Sequence, residues 1–207
     1  MEPTNPFPEY RIDFTYNLAD TKWHHIPNHF PYGRFQSAED WVEELAETFA
    51  NSEEPKNRLS EDEWLPRVAR FLVPKPVSGD FREWFFREPD EDNNNAAMMV
   101  SVIPIAETKD GTLEGALDPM PELVGSEAKF FPFLSETMGL GMKAVKLLGH
   151  RRADKTIETF PNISFAFQSN DLFFTFGVTT PTVKALANCE KEVEDFVNSV
   201  KLTSIKK

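Results

Sequence analysis

The sequence predicts an α+β fold: a mainly antiparallel sheet flanked by helices, with an acidic helix pair near the N-terminus and a long C-terminal helix. Three observations predict it. Two Phe-rich segments alternate around Ser169-Asn170-Asp171, the pattern of a hairpin. Residues 180–200 carry a single apolar stripe at helical spacing. Helices come early and strands then follow in a run, without the repeated strand–helix alternation of a doubly wound parallel sheet. At 207 residues the chain is expected to be one α+β domain, with an acidic helical part at 37–72 and a sheet plus terminal helix at 81–207.

Residues 1–9 are rich in Pro and polar groups and predict an irregular lead-in. Tyr10, Ile12, Phe14 and Tyr16 then alternate with Arg11, Asp13 and Thr15, a half-buried strand. Trp23 to Ile26 is long enough for a short strand before Pro27, Pro31 and Gly33 interrupt regular structure. Ser37 with Asp40 resembles a capping box, and Trp41, Val42, Leu45, Ala46 and Phe49 share a helix face opposite Glu43, Glu44 and Glu47. A second box, Ser60 with Glu63, opens a helix carrying Leu65, Val68, Ala69 and Leu72, kinked at Pro66 and ended by Pro74 and Pro76.

From about residue 81 the pattern turns to strands. Trp84 and Phe86 alternate with Glu83 and Phe85, and Asp90 to Asn95 is a polar turn. Met98 to Ile105 is apolar on both faces and predicts a central strand. Asp110-Gly111 predicts a hairpin turn with a weak return strand. Residues 115–141 are the hardest to read, and Phe130, Phe131 and Phe133 are expected to pin them to the core. Met142 to Leu148 fits a strand or a helix, and the bracketing Gly139, Gly141 and Gly149 favour a strand. In the hairpin that follows, Ile163, Phe165 and Phe167 point inward, as do Leu172, Phe174, Phe176 and Val178. Thr180 is the expected cap of the last helix, with Pro181 at its first position. Its stripe is Val183, Leu186, Val193, Phe196, Val197 and Val200, with Glu190, Glu192 and Glu194 largely facing water.

Composition excludes some functions. The net charge of −12 disfavours nucleic acid as a partner. Residues 37–65 hold ten acids against Lys56 and Arg58 and so carry −8 of it, while Lys143, Lys146, Arg151, Arg152 and Lys155 face only Asp154, a local excess of +4. The first 20 residues lack a signal-peptide centre, and no apolar run is long enough to span a bilayer. One cysteine fits a reducing compartment, so the expected location is cytoplasmic, away from membranes. There are 19 Phe against 3 Tyr and 4 Trp, and rings without a polar tip belong in a core or an interface.

Gly141-Met142-Lys143-Ala144, the Phe-rich hairpin from Thr156 to Val178, and a last helix ending Phe196-Val197-Asn198-Ser199-Val200 together resemble the end of the PsbP-like α/β/α sandwich. The likeness covers under a third of the chain and is one of pattern. Families with that fold, among them photosystem extrinsic subunits, a Ran-binding protein and actinobacterial lipoproteins, are mostly non-enzymatic binding proteins. The resemblance therefore implies a binding role. The acidic segment at 37–72 departs from it, and fold analogy alone does not carry function.

No catalytic constellation stands out. His24, His25 and His29 form the one histidine cluster; His25 and His29 have metal-ligand spacing on a helix, but Pro27 lies between them and polar loop histidines are the simpler reading. Cys189 falls near an apolar stripe and reads as packing. Val124-Gly125-Ser126-Glu127 lacks the second glycine of a nucleophile elbow, and Gly139-Leu140-Gly141-Met142 lacks the third glycine of a dinucleotide loop. Thr108-Lys109-Asp110-Gly111-Thr112 resembles part of a calcium loop, but Leu117 stands where a bidentate Glu is needed. No cofactor or metal is implied. The leading expectation is a binding or adaptor protein, an acidic inhibitor or immunity type being one form, that meets a basic protein through Glu43, Glu47, Glu61 and Asp62. A small-ligand carrier or enzyme with a Phe-lined cavity is the alternative from another class, and self-association into a homodimer through exposed aromatics is a third.

Overall fold

The computed structural model describes residues 10–18, 22–28, 30–50, 81–88, 95–117, 127–151 and 155–206. It is an α+β fold built on a seven-stranded antiparallel sheet. The strands are β2 (Trp23–Ile26), β3 (Phe81–Arg87), β4 (Ala96–Pro104), β5 (Lys129–Ser135), β6 (Gly139–Arg151), β7 (Ile157–Ser169) and β8 (Leu172–Thr179), in the order β2-β3-β4-β8-β7-β6-β5. A separate two-stranded pair joins β1 (Tyr10–Thr15) to β9 (Lys201–Lys206). Among the described residues the α-helices are α1 (Ala38–Ala50), α2 (Leu113–Leu117) and α3 (Val183–Ser199).

Residues opposite each other on an antiparallel ladder share a face. One row therefore runs His25, Phe85, Met98, Val178, Ile163, Val145 and Lys129 across all seven strands. The adjacent row, His24, Phe86, Ala97, Thr179, Asn162 and Lys146, lies on the other face. The first face carries the main core. There Phe85, Met98, Phe165, Phe174, Phe176 and Val178 pack with Leu186, Cys189, Val193, Phe196 and Val197 of α3, and Ile12, Phe14 and Tyr16 close over them from the β1 segment. On the second face, α1 sets Trp41, Val42 and Leu45 on Ile26 and Phe86, while α2 sets Ala116 and Leu117 on Ala144, Ala166 and Phe173. Helices thus lie on both faces.

Local signals explain most of these elements. The Phe-rich hairpin turns through Asn170, whose φ of 54° is a left-handed conformation that Asn tolerates. Ile163 faces Val178, Phe165 faces Phe176 and Phe167 faces Phe174, as the alternation requires. Gly141 is needed for a close approach: a side chain there would run into the Ala166 carbonyl and the Phe167 ring. The capping box at α1 is reciprocal, because the Asp40 N–H donates to Ser37 Oγ at 3.1 Å and the Ser37 N–H donates to Asp40 Oδ2 at 3.2 Å. The predicted helix over 60–72, its Pro66 kink, and the polar turn at 90–94 lie outside the described residues.

Four expectations are corrected. The last helix is capped by Thr182, not Thr180: the Thr182 hydroxyl accepts the Ala185 N–H at 3.1 Å, and Pro181 stands before the cap. Val183, at the first helical position, is 67% exposed and leaves the apolar stripe to the residues behind it. Asp110-Gly111 does not turn a hairpin. Asp110 accepts the Thr112 N–H and hydroxyl, Thr112 accepts the Gly115 N–H, and the chain enters α2. Phe130 and Phe131 do not pin β5 to the core; both are exposed, and Phe133 alone turns its ring onto Phe165, 4.8 Å between centroids.

Candidate functional site

The predicted partner surface is described only in its first half. Glu43 and Glu47 stand exposed on α1, opposite buried Trp41, Val42 and Leu45. Glu44, between them, is paired with Arg34. Glu61 and Asp62 lie outside the described residues.

The charges elsewhere behave differently from the sequence reading. Glu190, Glu192 and Glu194 do not simply face water; each reaches an α3-facing cation of the sheet. Lys143 Nζ donates to Glu190 at 2.6 Å and to Glu194 at 2.7 Å, and Arg87 makes a two-pronged pair with Glu192 at 2.7 and 2.9 Å. The reason is register: Arg87 lies on the same face as Phe85, and Lys143 stands opposite Phe165, beneath the helix. Burial pulls the Lys143 ammonium down, but the hydrogen bonds and charges of the two glutamates outweigh it and hold it above the ordinary lysine value. Lys146 donates to the Leu117 carbonyl at 2.7 Å. Two of the cations in the local excess of +4 are therefore engaged inside the fold.

The histidines sit on β2, not on a helix, so His24 and His25 point to opposite faces. His24 Nε2 meets Glu88 at 2.8 Å. His25 is the centre of a richer cluster at the β2 edge. Its Nε2 lies 2.7 Å from Glu83 Oε2 and its Nδ1 lies 3.3 Å from the Tyr32 hydroxyl, while the ring packs on Phe85 and Tyr16. The Asn28 amide donates to the same Glu83 oxygen at 3.0 Å and to the Arg82 carbonyl at 2.6 Å. His29 lies outside the described residues. Among the described residues, no group of three or more His, Cys, Asp or Glu is placed to hold a metal. Sequence reasoning missed Glu83 as a companion of His25 and Asn28, because only the β2–β3 pairing brings residues 55 to 58 positions apart together, and missed Tyr32 because only the turn at Gly33 carries it back to His25.

Tyr16 gives this cluster a pH signature. Burial, with smaller contributions from Tyr32 and Glu83, pushes its phenol up to about 12. A folded-state value above the unfolded one, about 10, means stability fully present below pH 10 and lost as pH rises toward 12. Lys143 contributes to the same alkaline loss, with the same sign. Tyr16→Phe is expected to flatten the fall in urea midpoint between pH 10 and 12 and to leave the midpoint at pH 7 nearly unmoved. An alkaline profile unchanged by the substitution would show that Tyr16 ionises freely in the fold.

Cys189 is fully buried, its thiol 3.5 Å from the Leu186 carbonyl. The phenylalanines that raised the prospect of a cavity meet one another edge to face, Phe167 on Phe176 at 6.1 Å and Phe85 on Phe196 at 5.0 Å. That is the geometry of a packed core. An apolar rim is exposed instead at the opposite end of the sheet, where Leu134 and Leu140 face each other across β5 and β6, 72% and 73% exposed; along β5, Phe130 on the same face and Phe131 on the other are exposed as well. No helix among the described residues is long and apolar enough to cross a membrane. No family model matches the chain, and no curated protein matches it.

Proposed function

We propose that the chain is a non-enzymatic protein-binding or adaptor protein whose acidic α1 face docks a partner with a basic surface. One observation carries the reading. The apolar stripe of α1 is used in the core, while Glu43 and Glu47 stand exposed; Lys143 and Arg87 are matched by acids of α3 within the fold and do not offset α1. A net charge of −12, with Glu43 and Glu47 exposed on α1, steers basic partners and repels nucleic acid. Glu61 and Asp62 extend the same surface in this reading, and an inhibitor or immunity type that masks a basic partner is its specific form. The PsbP-like resemblance belongs to the proposal too, supported by helices on both faces of an antiparallel sheet. So does a reducing, cytoplasmic setting, supported by the lone buried thiol of Cys189.

The double reversal Glu43→Lys with Glu47→Lys tests this. Capture of a basic partner from lysate at low salt is expected to vanish, with the melting temperature nearly unchanged because exposed charges contribute little to folding. Capture that survives the reversal and resists high salt would sink the reading. A second reading, self-association, is favoured by the exposed Leu134–Leu140 rim. Light scattering on the same samples separates the two, since a dimer through that rim is indifferent to the charge reversal.

A further inference from the structure

We propose that Tyr32 is a base-activated acceptor, a phenol that takes an acyl group from an uncharged activated donor, with His25 as its general base and Glu83 holding that base in place. The inference is independent of the α1 docking surface.

The chain builds the arrangement from a turn and two strands. Tyr32 and Phe35 exchange backbone hydrogen bonds, each 2.9 Å, around Gly33, whose φ of 54° closes the turn. That turn leaves Tyr32 36% exposed while bringing its hydroxyl within reach of His25 Nδ1. An ionised carboxylate only accepts, so Glu83 fixes the proton on Nε2 and leaves Nδ1 as the acceptor for the phenol O–H. Asn28 holds the carboxylate in turn, and Phe85 backs the ring at 5.2 Å between centroids. Nucleophile, base and orienting group follow one another in hydrogen-bond reach, and the base is only 14% exposed.

The other two tyrosines of the chain make the contrast. Tyr10 is buried and donates to Asp171 at 2.8 Å. Tyr16 is held protonated in the cluster. Tyr32 alone joins an accessible oxygen to an imidazole acceptor. The carboxylate in the relay, Glu83, favours a neutral acyl donor over an anionic phosphoryl donor, since Glu44 of α1 already pairs with Arg34 of the same turn.

In the step itself, the phenol oxygen bonds to the carbonyl carbon of the donor and its proton moves to His25 Nδ1. The bond from that carbon to the leaving oxygen breaks, the leaving group departs with the electron pair, and the imidazolium, paired with Glu83, returns its proton to solvent or to the leaving group. The product is a tyrosyl ester on Tyr32.

The test uses p-nitrophenyl acetate on the full chain, with acetyl groups mapped by peptide mass spectrometry. A positioned general base contributes about 10²–10⁴-fold. Tyr32 in the folded protein is therefore expected to acetylate at least tenfold faster than in the same protein unfolded in urea, and ahead of Tyr10 and Tyr16. His25→Gln should remove that enhancement and shift the pH–rate profile from imidazole to phenol ionisation, while Glu83→Gln should lower the rate several-fold. Equal rates for folded and unfolded protein would overturn the proposal, as would a folded His25→Gln variant that keeps the full rate. Should His25→Gln fail to fold, the folded-against-urea comparison of the unaltered chain decides alone.

Discussion

Truncating Phe165 to alanine is expected to cost about 3–5 kcal/mol of stability, the range for large buried aromatics that leave a cavity behind. Phe165 is fully buried on the face that carries α3. Its ring meets Phe133 edge to face at 4.8 Å, the Lys143 ammonium lies 5.9 Å above it, and Phe176 stands opposite on β8. Removing the ring takes a contact from the edge strand, the central hairpin and the ion-pair cluster together, so collapse into the space is resisted on three sides. Phe174, opposite Phe167, is expected to fall in the same range. Ser164→Ala is the control from the other face. It loses one hydrogen bond, to Asn162 Oδ1 at 2.6 Å, worth about 1 kcal/mol. Urea unfolding of the three variants checks the order; a Phe165 variant that loses no more than Ser164→Ala would contradict the packing.

That experiment also probes what was readable without a structure. The hairpin was legible because both of its strands alternate strongly, and a slip of one residue would have turned Phe165, Phe167 and Phe174 away from α3. The α1 cap was legible because Ser37 and Asp40 act within one turn. What escaped depended on distant partners. Strand β9 has no clean alternation in Lys201 to Lys206 and exists through its pairing with β1 at the other end of the chain. Helix α2 has five residues, too few for a periodic signal, and is held by side-chain caps and by Ala144, Ala166 and Phe173. The chemistry of Phe130 and Phe131 points to a core, whereas β5 is an edge strand, where Pro132 costs the sheet least. The site divides the same way. Glu43 and Glu47 were legible from helical spacing, while the Glu83–His25–Tyr32 chain required the β2–β3 register and the turn at Gly33.

The three glutamates of α3 show how an exposed-looking stripe becomes structural, and Arg87 gives the sharpest test. Its side chain is 5% exposed, whereas that of its partner Glu192 is 39% exposed. The two ends of one ion pair therefore carry different desolvation costs. Glu192→Ala takes the carboxylate from a guanidinium buried beneath α3, which also donates to the Glu88 carbonyl at 3.2 Å. Removing one member of a buried pair costs about 3–5 kcal/mol, and the access of water to Glu192 puts the expected loss near the lower end, about 3 kcal/mol. Arg87→Met removes the charge that needs the partner, fills much of the same volume, and lets Glu192 turn to solvent; its expected cost is under about 1.5 kcal/mol. The double variant should be no less stable than Glu192→Ala alone, because the buried charge is gone with its partner. Urea midpoints of the four proteins measure this asymmetry directly. If Arg87→Met proves as costly as Glu192→Ala, the pair is a net stabiliser of the sheet–helix contact in its own right, and the buried guanidinium is not the dominant cost.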